Sequence, residues 1–335
     1  MKISHRIGIP LVALVVLLTA GGLMWQHHVK TALNIRVGIL HALTGPMAAN
    51  EKPLVDALQL AIEEANAAGG IGGQKIKAVL ADCGPDPVRC AQQAEHLITH
   101  EQVQALFGCW TSACRKAVKT VVEKHRNLLF YALRYEGMEQ SPNILYGGAI
   151  PNQLVMPAVN WALINLGNSG ERRKRDIPDG RGKRIYLLGS DNLYSHVVNI
   201  LIKDLLAAHG AIIIGERYFP SGLSDMDELA ADIARQGPEI VLNTISGDDN
   251  VVFFRALQKG GITPDKIPVL SFSITEVGLS AEDMPPMAGH YAARNYFQSI
   301  PGPENQAFVQ RFRDHFGQNA VIDGPTEASY INLQM

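Results

Sequence analysis

Between Phe107 and Gly137 the chain reads FGCWTSACRKAVKTVVEKHRNLLFYALRYEG, and three of its side chains, Trp110, Ser112 and Tyr131, suit a small polar solute. An amide-like molecule shows one carbonyl acceptor and several N–H donors, and burying any of them without a partner is costly. A site for it must supply hydroxyls or backbone N–H groups for the oxygen, oxygens for the N–H groups, and a flat wall for the faces. An indole, a serine at the opening of a helix and a tyrosine hydroxyl supply these. Each also has a plainer use: Trp110 as core, Ser112 as a helix cap, Tyr131 as an anchor for a loop. Thr244 and Asp248 end another apolar run and could reach the same place, or could only cap the helix that starts near Asp249.

Turnover is a weaker reading. A hydrolase needs a nucleophile–base pair or a metal cluster. The histidines are scattered, and His41, at the end of the first apolar run, is the one expected to face a cleft. No HExxH, GxSxG or GxGxxG is present. The cysteines are Cys83, Cys90, Cys109 and Cys114, with no CxxC, so the spacing carries no zinc or thioredoxin motif. Cys83 and Cys90 flank Gly84-Pro85-Asp86-Pro87, a turn that a disulfide could close in an oxidising compartment. Cys109 reads as a small buried residue. Cys114 would need a histidine to act as a nucleophile, and His125 lies eleven residues on, at the far end of the same helix. No cofactor is expected. A net charge of −2 gives no reason to expect nucleic acid, and the basic run at 172–175 reads as a solvated loop.

These residues must be positioned by a βα framework. Ala113, Ala117, Val118, Val121 and Val122 recur at helical spacing between two short apolar runs that end at Phe107 and Tyr131. The strand–turn–helix order puts Trp110-Thr111-Ser112 at the carboxyl edge of a parallel sheet, where doubly wound folds bind ligands. Strands are expected at Ile35 to Leu40, Ile76 to Leu80, Arg184 to Gly189, Ile212 to Tyr218, Ile240 to Thr244 and Pro268 to Ser271. Helices are expected between them, including Cys90 to Thr99, Val197 to Ala208 and one capped by Asn152. The alternation predicts an α/β protein of two doubly wound lobes with a hinge and a central cleft. The division expected is 34–150 with 296–335 for lobe 1 and 151–295 for lobe 2. Residues 1–33 hold Lys2, His5 and Arg6, then a 19-residue apolar run from Ile7 to Trp25. It reads either as a signal peptide cut after Ala20-Gly21-Gly22 or as an uncleaved membrane anchor with Trp25 at the interface. Both readings put the rest of the chain outside the cytoplasm.

Several runs carry a resemblance: GCWTSACRKAV, LLFYALRYEG, SPNILYGGAIPNQ, LLGSDNLYSH, LNTISGDDNVVFF and VLSFSITE. They are similar to the periplasmic urea and short-chain amide receptors, type I solute-binding proteins that include the amide sensor of an amidase operon. The resemblance covers roughly Ile35 to Tyr330. It implies the type I periplasmic-binding-protein fold, and it matches Trp110, Ser112 and Tyr131 to pocket positions and Ser273 to a hydroxyl position of the amide sensor. It also implies that further elements normally follow the point where this chain stops. The function it implies is a periplasmic protein that closes on urea or a short-chain amide and delivers it to the membrane subunits of an ABC importer. The alternative is the sensor domain of a membrane-anchored receptor with a kinase or cyclase output. Three positions depart from the pattern: Asn192 replaces a ligand-lining tyrosine, Leu133 a threonine, and Arg134 an uncharged residue. An inward-pointing Arg134 would favour a carboxylate, an amino acid among them, or another anion.

Overall fold

The computed structural model describes residues 34–335 except Pro46, residues 168–179 and Gly278. The apolar N-terminal run and the basic run at 172–175 lie outside them. Among the described residues no helix is long and apolar enough to cross a membrane.

Two five-stranded parallel sheets organise the chain. The first has the order β2-β1-β3-β4-β5, from β1 (Ile35–His41), β2 (Ile76–Asp82), β3 (Ala105–Gly108), β4 (Leu128–Tyr131) and β5 (Ile144–Tyr146). The second has the order β10-β9-β8-β6-β7, from β6 (Arg184–Ser190), β7 (Ile212–Phe219), β8 (Ile240–Thr244), β9 (Val269–Ser271) and β10 (Tyr291–Ala292). In each sheet the strand order reverses beside the first strand, between β1 and β3 and between β6 and β8. The loops leaving those strands splay apart there and leave a crevice at the carboxyl edge.

Both faces of each sheet are covered, as a parallel sheet requires. In β1, Val37 and Ile39 face Val55, Leu58 and Ile62 of α1 (Ala48–Ala67), while Leu40 belongs to the core on the opposite face. That core takes Cys90, Ala94 and Leu97 of α2 (Pro87–Thr99) and Val118, Val121 and Val122 of α3 (Ser112–His125). In β6, Ile185 and Leu187 pack on α4 (Pro151–Asn165) and α5 (Leu193–Ala208). Tyr186 and Leu188 pack on α6 (Asp227–Gln236) and α7 (Asp249–Lys259). Each such fully buried aliphatic side chain stabilises the fold by roughly 1.5–3 kcal/mol.

The chain crosses from the first sheet to the second after β5 and returns after β10. A short helix, α8 (Met284–Met287), precedes β10. Past Ala293, packed on the second lobe, Tyr296 is buried against Ala57 and Leu60 of α1. Phe308 and Phe312 of α9 (Pro303–Phe316) and Tyr330 of α10 (Gly324–Gln334) complete that cluster. One cap differs from expectation. At the start of α4 the Gln153 side chain, not Asn152, serves the end of the helix, its Oε1 accepting from the Ile150 N–H at 3.0 Å. A longer side chain in the first turn can reach back to the cap position, which Asn152 cannot do.

Candidate functional site

A cavity of about 250 Å³ lies between the carboxyl edges of the two sheets. Its first wall is the turn after β3. Gly108 has φ +154°, and a Cβ there would stand 2.1 Å from the Leu40 carbonyl oxygen. Cys109 follows in the left-handed region, φ +57°, which a non-glycine residue adopts only where its surroundings hold it. The two bend the chain sharply, so that the Cys109 side chain is buried while Trp110, Thr111 and Ser112 line the cavity. Thr111 is the cap of α3, its side chain accepting from the Cys114 N–H at 3.0 Å. Ser112 is then the first helical residue, and its N–H and that of Ala113 precede the first bonded turn, where a helix offers donors to an oxygen or an anion.

Beneath Ser112 lies a buried charge network. Arg115 is fully buried and donates to Ser112 Oγ at 3.2 Å, to Glu136 Oε2 at 2.8 Å and to Glu139 Oε1 at 3.2 Å. Its guanidinium also lies over the rings of Tyr131 and Tyr135, at 4.9 and 5.2 Å. Burial pushes the Glu139 carboxyl up, but hydrogen bonds from Arg115 and Tyr146 outweigh it and leave the group below the usual carboxylate range.

Tyr131 is not on the cavity wall. It is fully buried, and its hydroxyl donates to the carbonyls of Trp110 at 3.2 Å and Arg134 at 3.4 Å. Burial raises the pKa of that hydroxyl. The side chain ties the two loops of the first wall together from behind. Glu136 is likewise committed to Arg115.

The second wall comes from Asn192, Leu193, Tyr194 and Ser246. Asn192 caps α5, its Oδ1 accepting from the Ser195 N–H at 2.9 Å, and still faces the cavity. Thr244 does not reach it: the side chain is fully buried and Oγ1 donates to the Leu188 carbonyl at 2.8 Å. Asp248 is exposed and stands outside the cavity lining. The residue between them, Ser246, takes the position instead, its N–H held by Ser190 Oγ at 3.0 Å. The apolar run locates the end of β8 but not which loop residue turns toward the cleft. Nothing in the sequence separates Ser246 from its neighbours.

Arg134, the charged departure, is in the lining. Its Nη2 donates across the cleft to Ser273 Oγ at 3.0 Å, and its guanidinium lies 4.9 Å from the Tyr194 ring centroid. Ser273 therefore touches the site through Arg134 and does not line this cavity. Arg134 Nε is buried without a hydrogen-bond partner, and among the described residues no carboxylate forms an ion pair with this guanidinium. Behind it a second, small cavity is lined by Arg134 and Arg294 together. Arg294 donates to the Phe272 carbonyl at 3.2 Å and also has a buried, unpartnered Nε. Burial first, and then the charge of Arg134, push its pKa down to about 9, so it remains a cation at neutral pH. Sequence reading missed Arg294, which lies 160 residues from Arg134 in the chain.

The cysteines also depart from expectation. Cys83 and Cys90 are free thiols, as are Cys109 and Cys114, and all four are buried. The sulfurs of Cys83, Cys90 and Cys114 all lie within 4.8 Å of one another. Cys114, from α3, meets the pair that the local turn suggested.

The periplasmic binding protein domain family matches residues 35–335. A Leu/Ile/Val-binding protein homolog 7 of Brucella melitensis biotype 1 is 25% identical over 238 residues, covering 70% of this chain and 58% of the relative. The homolog 8 of Brucella abortus (strain 2308) is 24% identical over 244 residues, covering 69% and 56%. The chain thus spans somewhat over half the length of these curated relatives. Two solved structures have the same fold. One is a solute-binding protein of an ABC transporter from Rhodopseudomonas palustris HaA2 in complex with p-hydroxybenzoic acid. It has a TM-score of 0.78 at 19% identity, covering 90% of this chain and 79% of that one. The other is a branched-chain amino acid transporter substrate-binding protein from Streptococcus pneumoniae in complex with isoleucine, with a TM-score of 0.72 at 16% identity and coverage of 90% and 82%.

Proposed function

We infer function from one premise: the chain belongs to the periplasmic binding protein family, whose domain accounts for residues 35–335. It acts as an extracytoplasmic solute-binding protein that closes on a small ligand and presents it to the membrane subunits of an ABC-type importer. Binding, not turnover, is its task. The ligand favours the closed state through contacts made to both walls at once.

The ligand is a small carboxylate with a flat or apolar body. The observation that carries this is Arg134: a guanidinium in the cavity wall, with a buried Nε lacking a partner and no carboxylate among the described residues to neutralise it. A desolvated guanidinium is best satisfied by a carboxylate, whose two oxygens match its planar fork. The opening of α3 at Ser112 favours the same charge. Trp110 and Leu133 supply the apolar side of the cavity. The isoleucine and hydroxybenzoate held by the two similar structures are both carboxylates, which agrees with this reading.

Urea or a short-chain amide is the second reading, favoured by the neutral donors and acceptors of Ser112, Asn192 and Ser246 around the indole. The two separate in a calorimetric titration of the full chain with benzoate, 4-hydroxybenzoate, isoleucine, urea and acetamide. A carboxylate is expected to bind, and Arg134→Gln to weaken it roughly ten- to a hundredfold, the loss of a charged hydrogen bond worth about 1.5–3 kcal/mol. Binding of urea or acetamide, unaffected by Arg134→Gln, would reverse the assignment. A receptor with a signalling output, the alternative to an importer, would use the same cleft.

A further inference from the structure

We propose that Cys83, Cys90 and Cys114, with Cys109 as the fourth sulfur, form a closed thiolate site for a single thiophilic d10 cation, Zn(II) or Cu(I), behind the first wall of the cleft. The site does not depend on the identity of the solute. The four residues come from four places: Cys83 just past β2, Cys90 in α2, Cys109 just past β3 and Cys114 in the first turn of α3. Spacings of 6, 18 and 4 intervening residues match no short metal motif, so the sequence alone conceals them. Folding brings the sulfurs of Cys83, Cys90 and Cys114 within 4.8 Å of one another, and Cys109 is buried in the same core cluster beside Cys114. Around a tetrahedral ion with bonds of about 2.3 Å, neighbouring sulfurs stand roughly 3.8 Å apart. Closing Cys83, Cys90 and Cys114 on an ion therefore needs adjustments of about an ångström, with the Cys109 sulfur moving further to complete the set.

Two further observations favour an ion over a chance gathering of small core residues. Cys109 keeps its side chain in a left-handed backbone position, φ +57°, where glycine or asparagine would be less strained. That conformation turns its sulfur toward Cys114, at the edge of the three. The cluster is also sulfur-rich and dry, each thiol being at most 4% exposed. Such a donor set selects soft d10 ions over hard cations. Each thiol that ligates gives its proton to solvent, no electron is transferred, and the ion's charge offsets part of the thiolate charge. Loaded, the site would staple together the pieces that carry Pro85, Pro87, Trp110, Thr111 and Ser112 to the cavity.

The test uses the full chain, purified anaerobically, with metal content measured and thiols counted before and after denaturation. The chain stripped of metal is then titrated with Zn(II), with Co(II) as a spectroscopic stand-in, and separately with Cu(I). The expected result is one ion per chain and, with Co(II), an intense sulfur-to-metal charge-transfer band of tetrahedral thiolate ligation. Cys90→Ser and Cys114→Ser should each weaken binding at least tenfold, and the ion should raise the unfolding midpoint of the parent but not of these variants. Saturable Zn(II) binding would assign the ion as zinc; saturable Cu(I) binding with weak Zn(II) binding would assign it as copper. Should a serine variant fail to fold, the Co(II) spectrum of the parent still counts the thiolates. A disulfide between any two of the four in anaerobically isolated protein, or Co(II) binding without the charge-transfer band, would overturn the proposal. Carboxylate binding without any saturable Zn(II), Co(II) or Cu(I) binding would overturn this proposal and leave the ligand assignment standing.

Discussion

At the carboxyl edge of the first sheet a buried cation, Arg115, lies between Glu136 and Glu139 with two tyrosine rings against it. At the same edge of the second sheet the buried groups between strands and helices are mostly neutral. Asn243 Nδ2 donates to Asn250 Oδ1 at 2.8 Å and to Ser271 Oγ at 3.0 Å, and its Oδ1 accepts from the Ile245 N–H at 2.8 Å. Ser195 Oγ and Thr244 Oγ1 donate to backbone carbonyls at 2.9 and 2.8 Å. Both edges are hydrogen-bonded, but by different physics. A charged network is held by strong, directional bonds and fails badly when one member is lost. A neutral web loses about one hydrogen bond at a time. The first wall, carrying the Trp110–Ser112 turn and Arg134, is thus a pre-formed charged platform. The second is a neutral wall that faces it across the cavity.

The largest test of this contrast pairs Arg115→Met with Asn243→Ala. Arg115→Met should destabilise the chain by about 3–5 kcal/mol, since it strands the buried Glu136 carboxylate and the partly buried one of Glu139. Asn243→Ala should cost about 1–3 kcal/mol, the desolvation of the partners left unpaired. Urea unfolding of both variants reads the difference, and equal losses would erase the distinction between the walls.

Acidification should act on the two edges with opposite sign. The folded pKa of Glu139 lies below its unfolded value of 4.5, so its stabilisation is present above that value and is lost as pH falls through the folded one. Asp249, at the start of α7, has a folded pKa raised above 3.8, chiefly by burial. It costs stability at neutral pH, and that cost is relieved as pH falls through its folded value. Unfolding midpoints followed from about pH 7 to about pH 3 should therefore show a shallower acid-side loss in Glu139→Gln than in the parent. Asp249→Asn should show a steeper one. Matching slopes in the two variants would sink the idea that the edges respond differently.

The smallest expected effect is at the contact that joins the walls. Ser273→Ala removes the acceptor of Arg134 across the cleft, worth about 1 kcal/mol. The open state should gain about fivefold in population. Small-angle scattering of ligand-free protein should register a larger radius of gyration, and an unchanged profile would mean that this bond does not hold the lobes.

Much of the framework was legible in advance. β4 and β8 coincide with the expected runs Leu128–Tyr131 and Ile240–Thr244, because buried parallel strands are short, continuous apolar segments. Two helices begin earlier than expected, α2 at Pro87 instead of Cys90 and α5 at Leu193 instead of Val197. Their first turns carry little apolar periodicity and are set by caps: Asp86 accepts from the Val88 N–H and Asn192 from the Ser195 N–H. The cleft was legible in part. Trp110, Ser112 and Asn192 do line one cavity. Tyr131 turns into the core, and Ser246 replaces both Thr244 and Asp248, because the facing of a loop residue depends on what packs behind it.

The sequence by itself determined the order of most strands and helices, the edge strands β5 and β10 and the short α8 excepted, together with the βα alternation in both halves and the turn that brings an indole and a helix opening to a sheet edge. Those features follow from local burial periodicity and local capping, which are written along a single segment. Only the tertiary structure decided that Arg134 would meet Ser273, 139 residues away, that Arg294 would stand behind it, and that four cysteines from separate elements would share one buried space. These meetings depend on how the lobes and loops cross in space, and the spacing of residues along the chain carries no record of that.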